Sequence, residues 1–224
     1  MNEHAENIAR FPGAAPLLRP VGEAVPVAER SDEELMLLHG EGDEAAFEEL
    51  VRRFNRPVFN YVYRMVQNRH VAEELTQEVF IALVKNAGRY YPTAKFSTYL
   101  YTIASNMVYK EWAQQKRRPR LFSLSWWGSN ADEDDGSPLD AVGDDRACVF
   151  TASTRAEVSE AVNEALRQVP KHYREAFVLK RFQGLSYEEI AEITDCPVGT
   201  VKSRIARAEQ ALRPHLERFR GYLH

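Results

Sequence analysis

Residues 186–212 read SYEEIAEITDCPVGTVKSRIARAEQAL, and two helices separated by a tight turn account for all of it. Ser186 and Glu189 have the Ser-x-x-Glu spacing of a capping box, in which a hydroxyl and a carboxylate each satisfy an orphan backbone donor at a helix start. The short helix they open turns Ile190, Ala191 and Ile193 inward. Asp195, Cys196 and Pro197 form the turn, with Pro197 suited to the first helical position because it has no N–H to leave unsatisfied. On the second helix Val201, Ile205, Ala208 and Leu212 fall on one stripe. At about 100° per residue, Gly199, Lys202, Ser203, Ala206, Arg207 and Gln210 lie opposite.

This outward face is small, polar and basic, which suits a major groove. Short side chains let a helix enter, and cationic ones reach purine N7 and O6 or the phosphates. The pattern assigns Lys202 and Ser203 to base edges and Arg207 to bases or backbone.

Helical patterning extends upstream through segments near 156–168 and 171–182, broken at Pro170 and Gly184. With the hairpin these give a four-helix C-terminal domain over residues 156–224. Residues 119–155 change character: Pro119, Trp126, Trp127, Gly128, an acidic run and Pro138 break every period, so this stretch reads as a linker. Before it, a capping box at Ser31 and Glu34 opens a short helix. Phe47, Leu50, Val51, Phe54, Val58, Tyr61, Val62 and Met65 recur at three- and four-residue steps over 44–66, where Pro57 is a candidate kink. Helices near 70–86 and 98–115 complete a first domain spanning 31–118, and residues 1–30, rich in proline and small residues, form a poorly ordered tail. No stretch alternates with period two long enough to be a strand. The expected fold is all-α: two helical domains joined by a flexible acidic linker, the C-terminal one a helix-turn-helix.

A net charge of −4 argues against a nucleic-acid partner if the charge is evenly spread. It is not. Residues 106–120 hold five basic side chains (Lys110, Lys116, Arg117, Arg118, Arg120) against Glu111 alone, whereas residues 132–145 hold seven acidic side chains and no basic one. Cys148 and Cys196 form neither a disulfide framework nor a metal-ligand spacing, and no metal or cofactor is expected. Phosphate-cradling loops, His-Glu-x-x-His and Gly-x-Ser-x-Gly are absent, so an enzyme is not expected. Nothing approaches the roughly 20 apolar residues of a membrane span, and no signal peptide is recognisable, which places the chain in the cytoplasm.

Two further patterns carry function. Around residues 95–112, Phe96, Tyr99, Tyr101, Tyr109 and Trp112 interleave with Lys95, Asn106 and Lys110, a mixture that suits unpaired bases stacked on rings beside a basic groove. For Phe96, Tyr99 and Ile103 a core role stands equally open. On the helix over 70–86, Glu73, Gln77, Ile81 and Val84 lie opposite the buried stripe, with Glu74, Glu78 and Phe80 on the flanks. Apolar residues on an outer face need a partner, from this domain or from another protein.

The segments AFEEL at 46–50, AEELTQEVF at 72–80, FSTYLYTIASN at 96–106, GLSYEEIA at 184–191 and DCPVGTVKSR at 195–204 together resemble the bacterial RNA polymerase sigma factors of the extracytoplasmic-function (ECF) subfamily. The resemblance covers nearly the whole chain beyond the tail. It implies a promoter-recognition subunit that binds core RNA polymerase through Glu74, Gln77, Glu78, Phe80 and Ile81. It further implies opening of the −10 element by Lys95, Phe96, Tyr99, Tyr101, Asn106, Lys110 and Trp112, with Asn106 in the segment that captures a flipped base. Thr200, Lys202, Ser203, Arg204, Ala206 and Arg207 would read the −35 promoter DNA. Members are usually held inactive by an anti-sigma factor, often membrane-anchored, so that partner is expected too. Relatives often carry Arg at the position of Lys202 and a larger residue at that of Ala206, which implies a different −35 preference. The rival reading is a helix-turn-helix regulator acting without polymerase.

Overall fold

The computed structural model describes residues 26–117 and 152–217. The expected tail up to residue 25, the acidic linker with Trp126 and Trp127, Arg118, Arg120 and Cys148 lie outside the described residues. Among the described residues there are eight α-helices: α1 (Asp32–Gly40), α2 (Glu44–Val66), α3 (Arg69–Asn86), α4 (Phe96–Arg117), α5 (Ala152–Gln168), α6 (Lys171–Arg181), α7 (Tyr187–Ile193) and α8 (Val198–Leu216). No strand occurs among the described residues, and the fold is all-α.

Local chemistry sets the boundaries. Ser31 and Ser186 each form the full capping box with Glu34 and Glu189, and Asp43 and Asn68 accept from Ala46 and Val71 N–H at the starts of α2 and α3. The chain between α2 and α3 turns at Gln67, whose left-handed φ of 56° is uncommon outside glycine. Gly184 takes the same region, at 69°, between α6 and α7. As expected for residues 44–66, α2 runs through Pro57 as one helix. Proline there removes the N–H that would bond the Arg53 carbonyl, and the packed face of α2 on both sides outweighs that loss. Pro197 stands one residue outside the expected position, as the N-cap of α8.

The first four helices pack as α1 on α2, α2 on α3 and α4, and α3 on α4. The last four pack as α5 and α6 on α8, with α7 between α6 and α8. The two halves also touch, α6 against α2 and α7 against α4, and the buried apolar residues form one cluster from Leu35 to Leu212. That joint core is absent from the sequence reading, which treats each half as a body of its own.

Candidate nucleic-acid interface

The outward face of α8 is built as its periodicity requires. Val201, Ile205, Ala208 and Leu212 are buried, while Lys202, Ser203, Ala206, Arg207 and Gln210 are exposed and Thr200 and Arg204 are half-buried. Two tyrosines lie under the cations. The Lys202 ammonium is 5.3 Å from the Tyr187 ring centroid, which Lys180 approaches at 4.6 Å. Arg207 is 5.6 Å from the ring centroid of Tyr173 and donates to its hydroxyl at 2.9 Å. Such contacts limit the rotamers of long side chains without spending their charge. Ser203 donates to the Thr200 carbonyl at 2.9 Å. Burial, with the nearby charges of Arg204 and Arg207, lowers the pKa of His172, another sign of a concentrated positive field at this end.

On α3, Glu73, Glu74, Gln77, Glu78, Ile81 and Val84 are exposed, Ile81 by 51% and Val84 by 47%. Phe80, placed by sequence on the flank of that face, is buried and meets Phe47 edge-on at 6.4 Å. It lies three residues before the core residue Leu83, so it packs inward.

The aromatic and basic segment is divided. Lys95, Asn106, Tyr109 and Lys110 are exposed and Tyr99 is half-buried. Phe96, Tyr101 and Trp112 are buried, which corrects the expectation that Tyr101 and Trp112 present rings outward and gives Phe96 the core role left open for it. Phe96 is fixed within the first half by Phe54 at 5.2 Å and Tyr90 at 6.2 Å, so its burial is intrinsic to that core. Trp112 is covered from the second half, and Tyr101 from both, its ring meeting Tyr61 of α2 edge-on at 5.4 Å. The Tyr101 hydroxyl donates to the Gln183 amide oxygen, and the Lys171 ammonium lies 4.1 Å from the Trp112 ring centroid.

Between those two contacts stands Glu175 of α6, fully buried. Its carboxylate accepts hydrogen bonds from Ser105 (2.5 Å) and Tyr109 (2.5 Å) of α4 and from Tyr61 (3.3 Å) of α2. Burial pushes its pKa up, opposed by the three hydroxyl donors and by the charge of Arg204. Its neighbour Arg174 turns away to donate to the carbonyls of Met65, Arg167 and Val169. Sequence reasoning missed Glu175, Tyr61 and Ser105. A signal existed for the first: Glu175 stands three and four residues before the buried Val178 and Leu179, a carboxylate on an apolar stripe. No group of acidic, His and Cys side chains able to hold a metal occurs among the described residues.

A helical hairpin with a basic reading face, joined to a helix of aromatics and cations, defines a DNA-recognising class of protein. Comparison with known proteins narrows it. The Sigma-70 region 2 family matches residues 50–118, and the Sigma-70, region 4 family matches residues 159–212. The chain is 31% identical over 191 residues to the RNA polymerase sigma-H factor of Pseudomonas aeruginosa, covering 85% of this chain and 96% of that protein. It is 34% identical over 184 residues to the ECF RNA polymerase sigma factor SigW of Bacillus subtilis, covering 78% and 91%. The chain belongs to the RNA polymerase sigma factor family, in its ECF branch. Two solved structures share the fold: CnrH in complex with the cytosolic domain of CnrY (TM-score 0.59, 20% identity, 83% of this chain and 97% of that one), and the Bartonella quintana sigma factor RpoE in complex with the anti-sigma factor NepR (0.56, 21%, 76% and 96%).

Proposed function

We propose that this chain is a promoter-specificity subunit that binds core RNA polymerase, reads the −35 duplex with the outer face of α8 and opens the −10 element with α4. The observation that carries the reading is the α8 face itself. Its only large exposed side chains between Lys202 and Arg207 are those two cations, flanking Ser203 and Ala206, which are small enough to let the helix into the groove. Thr200 and Arg204, half-buried at the edge of that face, serve the phosphates.

The functional units are residues 31–118 for polymerase binding and −10 opening and residues 156–224 for −35 recognition. The exposed side of α3, with Glu74, Gln77, Glu78 and Ile81, is the polymerase-docking surface. Asn106, exposed at the middle of α4, captures the flipped −10 base, with Lys95 and Lys110 on the strand backbone and Tyr99 in the melting region. Extruding one base costs a few kcal/mol of unstacking, which a hydrogen-bonding pocket returns with specificity. No catalytic chemistry is required of the chain. No helix among the described residues is long and apolar enough to cross a membrane, and the protein works where the polymerase is, in the cytoplasm. An anti-sigma factor is the expected inhibitor, as NepR is the named partner of a structure sharing this fold.

Run-off transcription with core RNA polymerase on a library of −35/−10 promoters tests the reading. Specific initiation that requires the chain and is lost in Lys202→Ala/Ser203→Ala supports it. Tight duplex binding without polymerase, and no initiation, supports a free-standing regulator instead.

A further inference from the structure

α1, α2, α3 and α7 are each capped by the residue that precedes them, Ser31, Asp43, Asn68 and Ser186. α4 cannot be capped that way, because Lys95 before it carries an ammonium that donates and does not accept. The acceptor comes from another helix. The first N–H of α4, that of Phe96, donates to the Glu33 carboxylate of α1 at 2.7 Å, across 63 positions of sequence. A carboxylate there answers both an orphan donor and the positive end of the helix dipole. Glu33 is itself held in place: α1 opens on a capping box, buries Leu35 and Met36 completely, and meets Arg53 of α2 through Asp32 at 2.6 Å. The other end of α1 reaches the start of the same connection. Gly40 lies so near the Ala87 carbonyl that an added Cβ would stand 3.0 Å from its oxygen, tighter than ordinary van der Waals contact. Glu33 and Gly40 are about 10 Å apart along the helix, at 1.5 Å per residue, and α1 packs on both the 3₁₀ turn Ala87–Arg89 and α4. It spans the two feet of residues 87–95.

We propose that Glu33 is a positioning residue for −10 recognition: through the Phe96 N–H it fixes the start of α4, and with it the placement of Lys95 and Tyr99, while Gly40 fixes the far foot of the 87–95 connection. The inference rests on the function proposed above for α4. A connection of this length, beyond the usual range between packed helices, leaves many placements open to the groups at its end unless it is anchored. Those groups are the ones proposed to meet the strand. Lys95 is exposed and pairs with Glu189 at 3.1 Å, and Tyr99 is half-buried with its ring 5.2 Å from that of Tyr90. Tyr90 in turn meets Phe96 edge-on at 6.2 Å, and burial, then the charge of Glu33, raises the pKa of its phenol. Glu33, Phe96, Tyr90 and Tyr99 are thus one cluster. Removing the carboxylate leaves the Phe96 N–H unpaired and loosens the first turn of α4. Glu33 acts through that turn and not on DNA.

The test is run-off transcription by the full chain with core RNA polymerase, read as two ratios: the yield on the best promoter over that on promoters with one −10 base changed, and the same for one −35 base. A chain that is only less stable lowers every yield and leaves both ratios where they were. Wild type is expected to discriminate on the order of tenfold at each element. Glu33→Ala should lower the −10 ratio about fivefold, the equilibrium weight of one helix cap, and leave the −35 ratio unchanged. Glu33→Gln keeps an acceptor and should restore the −10 ratio. Glu33→Asp keeps the charge but falls one methylene short, and should not. An unchanged −10 ratio in Glu33→Ala, an equal fall of both ratios, or a Glu33→Gln no better than Glu33→Ala overturns the proposal. If circular dichroism shows Glu33→Ala unfolded, Glu33→Asp decides alone by the same ratio. Specific initiation by the wild type with an unmoved −10 ratio in the variants refutes the positioning role only, whereas no specific initiation by the wild type refutes the function and the inference together.

Discussion

Lys202 and Arg207 each rest on a tyrosine, and this support bears on the DNA reading proposed for them. A side chain held by a ring loses less rotamer freedom on binding than one free in solvent. Arg207→Ala is expected to weaken −35 recognition by about 1–3 kcal/mol, with the loss concentrated at one or two base positions, in competition assays with single-base promoter variants. Lys202→Arg adds a planar fork in place of a point charge, and a shift toward guanine at the position it reads is the expected result in the same assay. A residue of another kind is Glu49, which bonds Arg52 and Arg53 at 2.7 Å each, while Arg53 also holds Asp32 and the carbonyls of Ala28 and Arg30. The Arg52 hydrogen bond, then that of Arg53, lowers the Glu49 pKa to about 2 from 4.5. A depressed carboxylate contributes stability above its unfolded pKa and loses it as pH falls toward the folded value. Wild type should therefore weaken between pH 4.5 and about 2, and Glu49→Gln should flatten that limb when denaturant midpoints are followed through the window.

Among the elements, α7 is the most exposed to loss, having seven residues. A helix this short is not stable on its own. It is held by its capping box and by Ile190 and Ile193. Ser186→Ala should cost about 1 kcal/mol, and Ile190→Ala, at a site with no exposed surface, about 2–5 kcal/mol, both by equilibrium unfolding. α3 should behave in the opposite way. Ile81→Asp lies on an exposed face, so its stability change should stay within about 0.5 kcal/mol while polymerase binding in a pull-down is lost. These elements were legible because local chemistry sets them: caps, three- and four-residue spacing and turn residues lie within a few positions of one another. Phe80, Tyr101 and Trp112 were misplaced for the complementary reason. Their burial depends on neighbours far along the chain: Phe47 is 33 positions from Phe80, Lys171 is 59 from Trp112 and Gln183 is 82 from Tyr101. Periodicity says which side of a helix is apolar, but not which apolar edge another helix will cover.

At the scale of the whole molecule, the α8 face proposed to read duplex is exposed, while the α4 face proposed to hold the opened strand is partly buried. Lys202 and Arg207 are exposed, whereas Tyr101 and Trp112 are buried beside Gln183 and Lys171. Recognition of the −35 duplex and opening of the −10 element are thus expected to be separable in order. Parallel titrations with the two DNAs check this.

The reversed order of the α4 and α6 contacts also fixes how the molecule answers to tension. The chain leaves α4 at Arg117, five residues and about 7.5 Å beyond Trp112, so a pull transmitted through it loads the Lys171 contact before the others. Rungs loaded from one end peel in sequence, each at the force that breaks one, instead of shearing together at the force that breaks all. The apolar core that the two halves share, from Leu35 to Leu212, still holds them after those contacts have gone.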